Sequence, residues 1–313
     1  MSGMEIVPQD RHSEVIYSAG SFSYKLNISW HKIPDEIYNR FEQEQLSGLA
    51  CDQKGNLFVL NRTKEWPILV LDPEGNVIRS FAEGAFVHAH HIHLTQHNSV
   101  WCADDRGHVL KEFSTDGQLL RVLGTGIASD SGYDESVPWP KDLWTIKCAA
   151  PPFNRPTALY EAPWGELYVS DGYANASVHR FSNKGELMQT WGGPGEDEGH
   201  FRLPHGIWVD ACERVWIADR ENNRIEVFTK EGGFIKSFEK MLYPSDFWSD
   251  GKLMYVAEAL GGVSVFDMDL KLVAQIGYDN GPLQPHSIAG NANGDLFLGT
   301  MSRPHKLVKL ERC

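Results

Sequence analysis

The chain has 313 residues, 42% of them hydrophobic, and carries a formal net charge of -13. That length admits two average domains or one large β or α/β domain. The acidic balance, without any Lys/Arg cluster, argues against a nucleic-acid partner, and no apolar run of 18 residues exists to span a membrane.

Ten Trp, ten Tyr, 15 Phe and 29 Gly lean the composition toward strands and turns. The start, "MSGMEIVPQDRHSEV", has no apolar run behind a basic stretch, so no signal peptide is expected and residues 1–13 read as a flexible tail. Five scattered cysteines (Cys51, Cys102, Cys148, Cys212 and Cys313) form no CxxC pair. They suit a reducing compartment, and the expected location is cytoplasmic.

From residue 14 onward one unit recurs: a short strand, a polar turn, an aromatic-centred strand, then hairpin signals such as "TDGQ", "NKGE" and "KEGG". The centres are "NLFVLN", "SVWCAD", "ELYVSD", "RVWIAD", "LMYVAE" and "DLFLGT", built on Phe58, Trp101, Tyr168, Trp216, Tyr255 and Phe297. They stand 43, 67, 48, 39 and 42 residues apart. Four antiparallel strands per unit at this period predict an all-β fold, a single six-bladed β-propeller over 14–313. The last unit is short, so a strand within "SFSYKLNISWHKI" is expected to close it. The 67-residue gap marks an insertion at about 125–151, either a binding loop over the ring or a solvated excursion.

Alignment on the centres sorts the histidines of "FVHAHHIHL". His90, His205 and His286 each lie 11 residues before their centre, at the start of the first strand of blades two, four and six. The same position holds Ser47 and Thr157 in blades one and three, and Pro244 or Ser245 in blade five. The first strand of a propeller blade is the innermost. Three alternating imidazoles are therefore expected to converge on the channel axis, as a zinc ion with open positions requires. Fe²⁺, Co²⁺ or Mn²⁺ would also suit three histidines. His88 is a candidate substrate contact or a support for the ligands, whereas His91 and His93 alternate along the strand and read as packing residues.

The second strand returns to the face where the first begins. Arg62 and Arg220 follow their centres by four residues and Tyr173 by five, so all three are expected on the metal's face, with Asp105 and Arg106 from blade two. Two arginines and a tyrosine there suit a small carboxylate-bearing substrate. A cation near the tyrosine would let its phenolate act as a base.

The segments "VSDGYANASVHRFSNKGELMQTWG" and "LPHGIWVD…VWIADRENNRIEVF" resemble peptidyl-α-hydroxyglycine α-amidating lyases and, more broadly, NHL-repeat propellers. The resemblance runs from about Leu46 to Leu310 and is strongest over Phe153 to Phe228. It implies zinc on His90, His205 and His286, with Tyr173 as the base and Arg62 and Arg220 in the active site. The implied reaction cleaves the C–N bond of an N-substituted α-hydroxyglycine to an amide or amine plus glyoxylate. A metal-dependent lactonase or other hydrolase is the alternative enzyme, and a non-enzymatic NHL scaffold the other alternative. The chain departs from the family at four places. Ala174 and Trp216 replace paired cysteines. Gln284 replaces a methionine two residues before the third histidine. Ser287 replaces the Asp of a structural calcium site whose carbonyls would come from Leu49 and Ile92. Loss of that carboxylate weakens a hard-cation site.

Overall fold

The computed structural model describes residues 15–41, 45–278, 283–301 and 305–313. The tail assigned to 1–13 lies outside them. Six antiparallel sheets form six blades: one over 46–81, two over 89–123, three over 156–192, four over 204–238, five over 244–276, and six from 285 to 312. The fold is the six-bladed propeller that the repeats predict. Phe22–Asn27 pairs with Leu307–Arg312 in blade six, and Ile16–Ala19 adds a fifth, outermost strand there. The inner strands touch in sequence round the ring, and Pro285–Gly290 of blade six meets Leu46–Cys51 of blade one to close it.

The aromatic centres supply the contacts between blades. Phe58, Trp101, Tyr168 and Trp216 are fully buried. Trp216 stacks on Phe238 and meets Phe247 and Phe266 of blade five edge-on or tilted. Burial of each such side chain contributes roughly 1.5–3 kcal/mol. The indole N–H groups are satisfied: Trp216 donates to Asp210 at 2.8 Å and Trp101 to Glu161 at 3.1 Å.

The polar residue that ends the second strand ties down the start of the first. Asp104 accepts the backbone N–H groups of Val87 and His88, Asp171 that of Asn154, Asp219 those of Arg202 and Leu203, and Glu258 that of Leu242. Each acidic side chain satisfies buried donors that have no ladder partner. The approaches to the inner strands of blades two to five are thereby held close to the axis.

Candidate metal centre

The inner strand of every blade carries a β-bulge against its neighbour, at the second residue or, in blade four, across the second and third. The register slips between Leu46 and Gly48, Ala89 and His91, Pro156 and Ala158, Pro204 and Ile207, Pro244 and Asp246, and Pro285 and Ser287. A bulge re-aims the side chain of its extra residue. Ser245, not Pro244, therefore holds the position in blade five. Proline opens four of these strands and is tolerated because the inner strand is a sheet edge.

His90, His205 and His286 occupy the bulges of blades two, four and six. Their ligand-capable nitrogens all lie within 4.8 Å of one another, and among the described residues they are the single such group of His, Cys, Asp or Glu. Their ring centroids are 4.8, 4.9 and 5.5 Å apart. His90 Nδ1 meets the Thr157 carbonyl at 2.6 Å and His205 Nδ1 the Ser245 carbonyl at 2.7 Å. A carbonyl only accepts, so each Nδ1 carries the proton and each Nε2 presents a lone pair. His286 Nδ1 is buried without an acceptor in hydrogen-bond geometry, yet the Ser47 carbonyl interacts with it and opposes the lowering of its pKa. Acceptors for the even blades thus come from the odd ones.

Burial, then neighbouring histidines and arginines, holds His90 and His205 well below the ordinary imidazole pKa. His286 is pushed down to about 3, by burial first and then by Arg220 and Arg62. Three neutral imidazoles around one point match the donor set of zinc or a similar divalent transition metal.

Tyr173 reaches the same point. Its hydroxyl is 3.0 Å from His90 Nε2, 3.2 Å from His205 Nε2 and 3.4 Å from Arg220 Nη1. Gly172 makes that reach possible: a Cβ there would stand 2.2 Å from the Pro204 carbonyl oxygen, just ahead of His205. Arg220 is buried under the rings of Trp139, Tyr173 and Tyr243 and pairs with Glu221 at 3.2 Å. Burial lowers its pKa, but Tyr173 and Glu221 outweigh this and hold it above the ordinary value. Arg62 bridges blades, donating from Nε to the Ala89 carbonyl at 3.1 Å and from Nη1 to the Gln45 side chain.

A cavity of about 320 Å³ lies over the histidines. Its lining brings together Arg62, His88, Arg106, Tyr173, Arg220 and His286. Gln284 is half-buried beside it and does not line it. His88 Nδ1 lies 2.5 Å from the buried Asp105 carboxylate. Arg155 also lines the cavity, 5.3 Å over the Tyr173 ring. Sequence reasoning missed it, although it precedes Thr157 by two residues, as His88 precedes His90 and Gln284 precedes His286. The insertion packs on this face. Trp139 meets Tyr173 at 6.2 Å, and Leu143 and Ile146 bury against blades three and four.

One layer deeper, His91 Nε2 lies 3.4 Å from Asp246, and His93 packs against Tyr160 with the two rings tilted. Ser287 Oγ is buried without a partner, and the Asp246 carboxylate nearby is taken by His91 and the Phe247 and Ile288 N–H groups. With Ser287 in place of a carboxylate and Asp246 already engaged, the Leu49 and Ile92 carbonyls would lack the free anionic ligand that a hard cation favours.

Fold and site together define a six-bladed β-propeller with a three-histidine centre on its axis. The NHL repeat family matches residues 201–228. Relatives of the chain include a protein named for the repeat and named amidating enzymes. The chain is 27% identical to NHL repeat-containing protein 3 of Mus musculus, over 79% of this chain and 74% of that protein. It is 26% identical to peptidyl-α-hydroxyglycine α-amidating lyase 1 of Drosophila melanogaster, over 78% of this chain and 49% of the lyase. Among solved structures, a gluconolactonase from Xanthomonas campestris superposes with a TM-score of 0.62 at 14% identity, covering 93% of this chain and 90% of that one. That last likeness concerns the fold alone. The resemblance to amidating lyases read from the sequence stands, and it points to a related propeller enzyme.

Proposed function

We propose that the protein is a zinc-dependent carbon–nitrogen lyase acting on an N-substituted α-hydroxyglycine. The observation that carries this is the Tyr173 hydroxyl, within 3.2 Å of two of three converging histidine nitrogens and 3.4 Å from Arg220. His90, His205 and His286 would hold the metal, which when bound supplies Lewis-acid polarisation of a substrate oxygen. Arg62 and Arg220 bind and orient the substrate carboxylate. Tyr173 takes the proton of the α-hydroxyl. The C–O bond becomes a carbonyl as the C–N bond breaks. Nitrogen keeps the C–N electron pair and takes up a proton, leaving as an amide or amine beside glyoxylate. Trp139 and Tyr243, stacked on Arg220, keep water from its guanidinium. Five unpaired cysteines, three of them exposed, support a reducing compartment such as the cytoplasm.

Metal analysis and glyoxylate release from N-acyl-α-hydroxyglycines test the reading. About one zinc per chain, lost in His205→Ala, together with glyoxylate release supports it. Metal with turnover of lactones alone would make the protein a hydrolase. Absence of metal from wild-type protein would leave a scaffold.

A further inference from the structure

Four arginines converge on the cavity over the histidines, in a chain of formal charge -13. Two carboxylates answer Arg62, Arg106, Arg155 and Arg220. Glu221 pairs with Arg220, and its other oxygen accepts from the Tyr243 hydroxyl. Asp105 is shared between His88 at 2.5 Å and Arg155 Nη2 at 3.5 Å. Arg62 meets neutral acceptors, the Gln45 amide oxygen and the Ala89 carbonyl. Arg106 is exposed, and its guanidinium makes no ion pair among the described residues. Guanidinium groups therefore outnumber carboxylates by two. Arg62 registers the crowding: burial, then repulsion from Arg106 and Arg155, pulls its pKa down against the opposing effects of Tyr173 and Asp105.

One substrate carboxylate, which the lyase reading requires, balances only one of these two charges. The remainder lies with Arg106 and Arg155. Both also line a second, larger space of about 1130 Å³ bounded by the insertion, including Tyr133 and Trp139. The two spaces share Arg106, Arg155, Tyr173 and Arg220, so they meet at the reacting end of the site. Arg155 sits in the left-handed region at φ 68, and its Nε is buried without a partner. A non-glycine residue held there is a strained one, and such residues gather at ligand clamps.

We propose that the substrate carries a second anionic group, a carboxylate on a short nitrogen substituent, bound by Arg106 and Arg155 where the two spaces meet. This rests on the lyase reading, in which Arg62 and Arg220 take the first carboxylate. A planar guanidinium matches a carboxylate two bonds at a time, and the half-buried Arg155, which shares Asp105 with His88, would gain a second anionic partner. The smaller space is at the low end for small-molecule sites, which favours a substituent of a few atoms.

The test uses N-acyl-α-hydroxyglycines of matched length that end in a carboxylate or in a primary amide, with glyoxylate as the readout. The expected result is a preference for the dianion in kcat/KM of about tenfold to a hundredfold, the worth of one charge-assisted pair. It should act mainly through KM, shrink with added salt, and fall toward unity in Arg106→Ala. Equal use of both compounds, or a preference that survives Arg106→Ala, would overturn the proposal. Calorimetry with the matched N-acylglycines, which lack the hydroxyl and cannot react, separates the two readings. Tighter binding of the dicarboxylate without glyoxylate from any hydroxyglycine keeps the anion site and rejects the lyase. No preference in binding rejects the anion site whatever the turnover.

Discussion

Blades two, four and six and blades one, three and five put the second inner-strand residue on the same bulge. In the even blades that residue is His90, His205 or His286; in the odd blades it is Ser47, Thr157 or Ser245. The even position contributes a side-chain nitrogen. The odd position contributes its main-chain carbonyl, which in blades three and five receives the Nδ1–H of the preceding blade's histidine and in blade one faces His286 without a hydrogen bond in good geometry. A sixfold backbone is thus divided into two threefold sets, donors and the acceptors that orient them. The centre is a property of contacts between blades, and small changes in blade spacing should reach it.

The largest effect should come from removing an even member. His205→Ala is expected to weaken metal binding by more than about a hundredfold, exceeding the loss typical of an outer-shell partner. Ser47→Ala, which keeps the odd-blade carbonyl, should cost less than about threefold. Metal per chain after dialysis against graded chelator checks both, and equal losses would remove the distinction between the two sets.

Tyr173→Phe should lower kcat about 10²–10⁴-fold, the range for a positioned proton acceptor, with metal retained. Full activity would remove Tyr173 from the base role. Gly172→Ala is a milder break in the same loop. The new Cβ would meet the Pro204 carbonyl at 2.2 Å, so the loop must shift. A displacement of about 1 Å can cost about 10²-fold in rate. A crystal structure of the variant with an unmoved Tyr173 would show the close approach to be dispensable.

The smallest effect is a pH dependence in the layer below. His93 is buried between strands, and burial, then His91, pushes its pKa down to about 3. Above its ordinary value of 6.5 it is neutral whether folded or unfolded, and it adds no pH dependence. Between 6.5 and about 3 the unfolded chain binds a proton that the folded chain refuses, so stability falls as pH drops. The loss of urea midpoint between about pH 7.5 and pH 5 should be smaller in His93→Gln than in wild type.

Much of this was legible in the chain. The aromatic centres recur because each blade must bury one against the next, and that fixes both the period and the number of blades. The alternation of His90, His205 and His286 is visible once the centres align. Arg155 was not legible: the insertion separates it from the preceding blade, and its importance lies in stacking on Tyr173. Nor was the choice of Ser245 over Pro244, since a bulge leaves no mark in hydrophobic periodicity. The outer strand Ile16–Ala19 was hidden for a related reason. Four residues on a sheet edge carry too short a pattern to read.

The sequence by itself determined the six repeats, their antiparallel character and the register of three histidines, because these follow from local periodicity and turn chemistry. Only the tertiary structure decided where those side chains aim. Their direction depends on bulges formed against the second strand, on carbonyls supplied by adjacent blades, and on a glycine that lets one loop lie against another. Those are contacts between residues far apart in the chain, and no local pattern encodes their geometry.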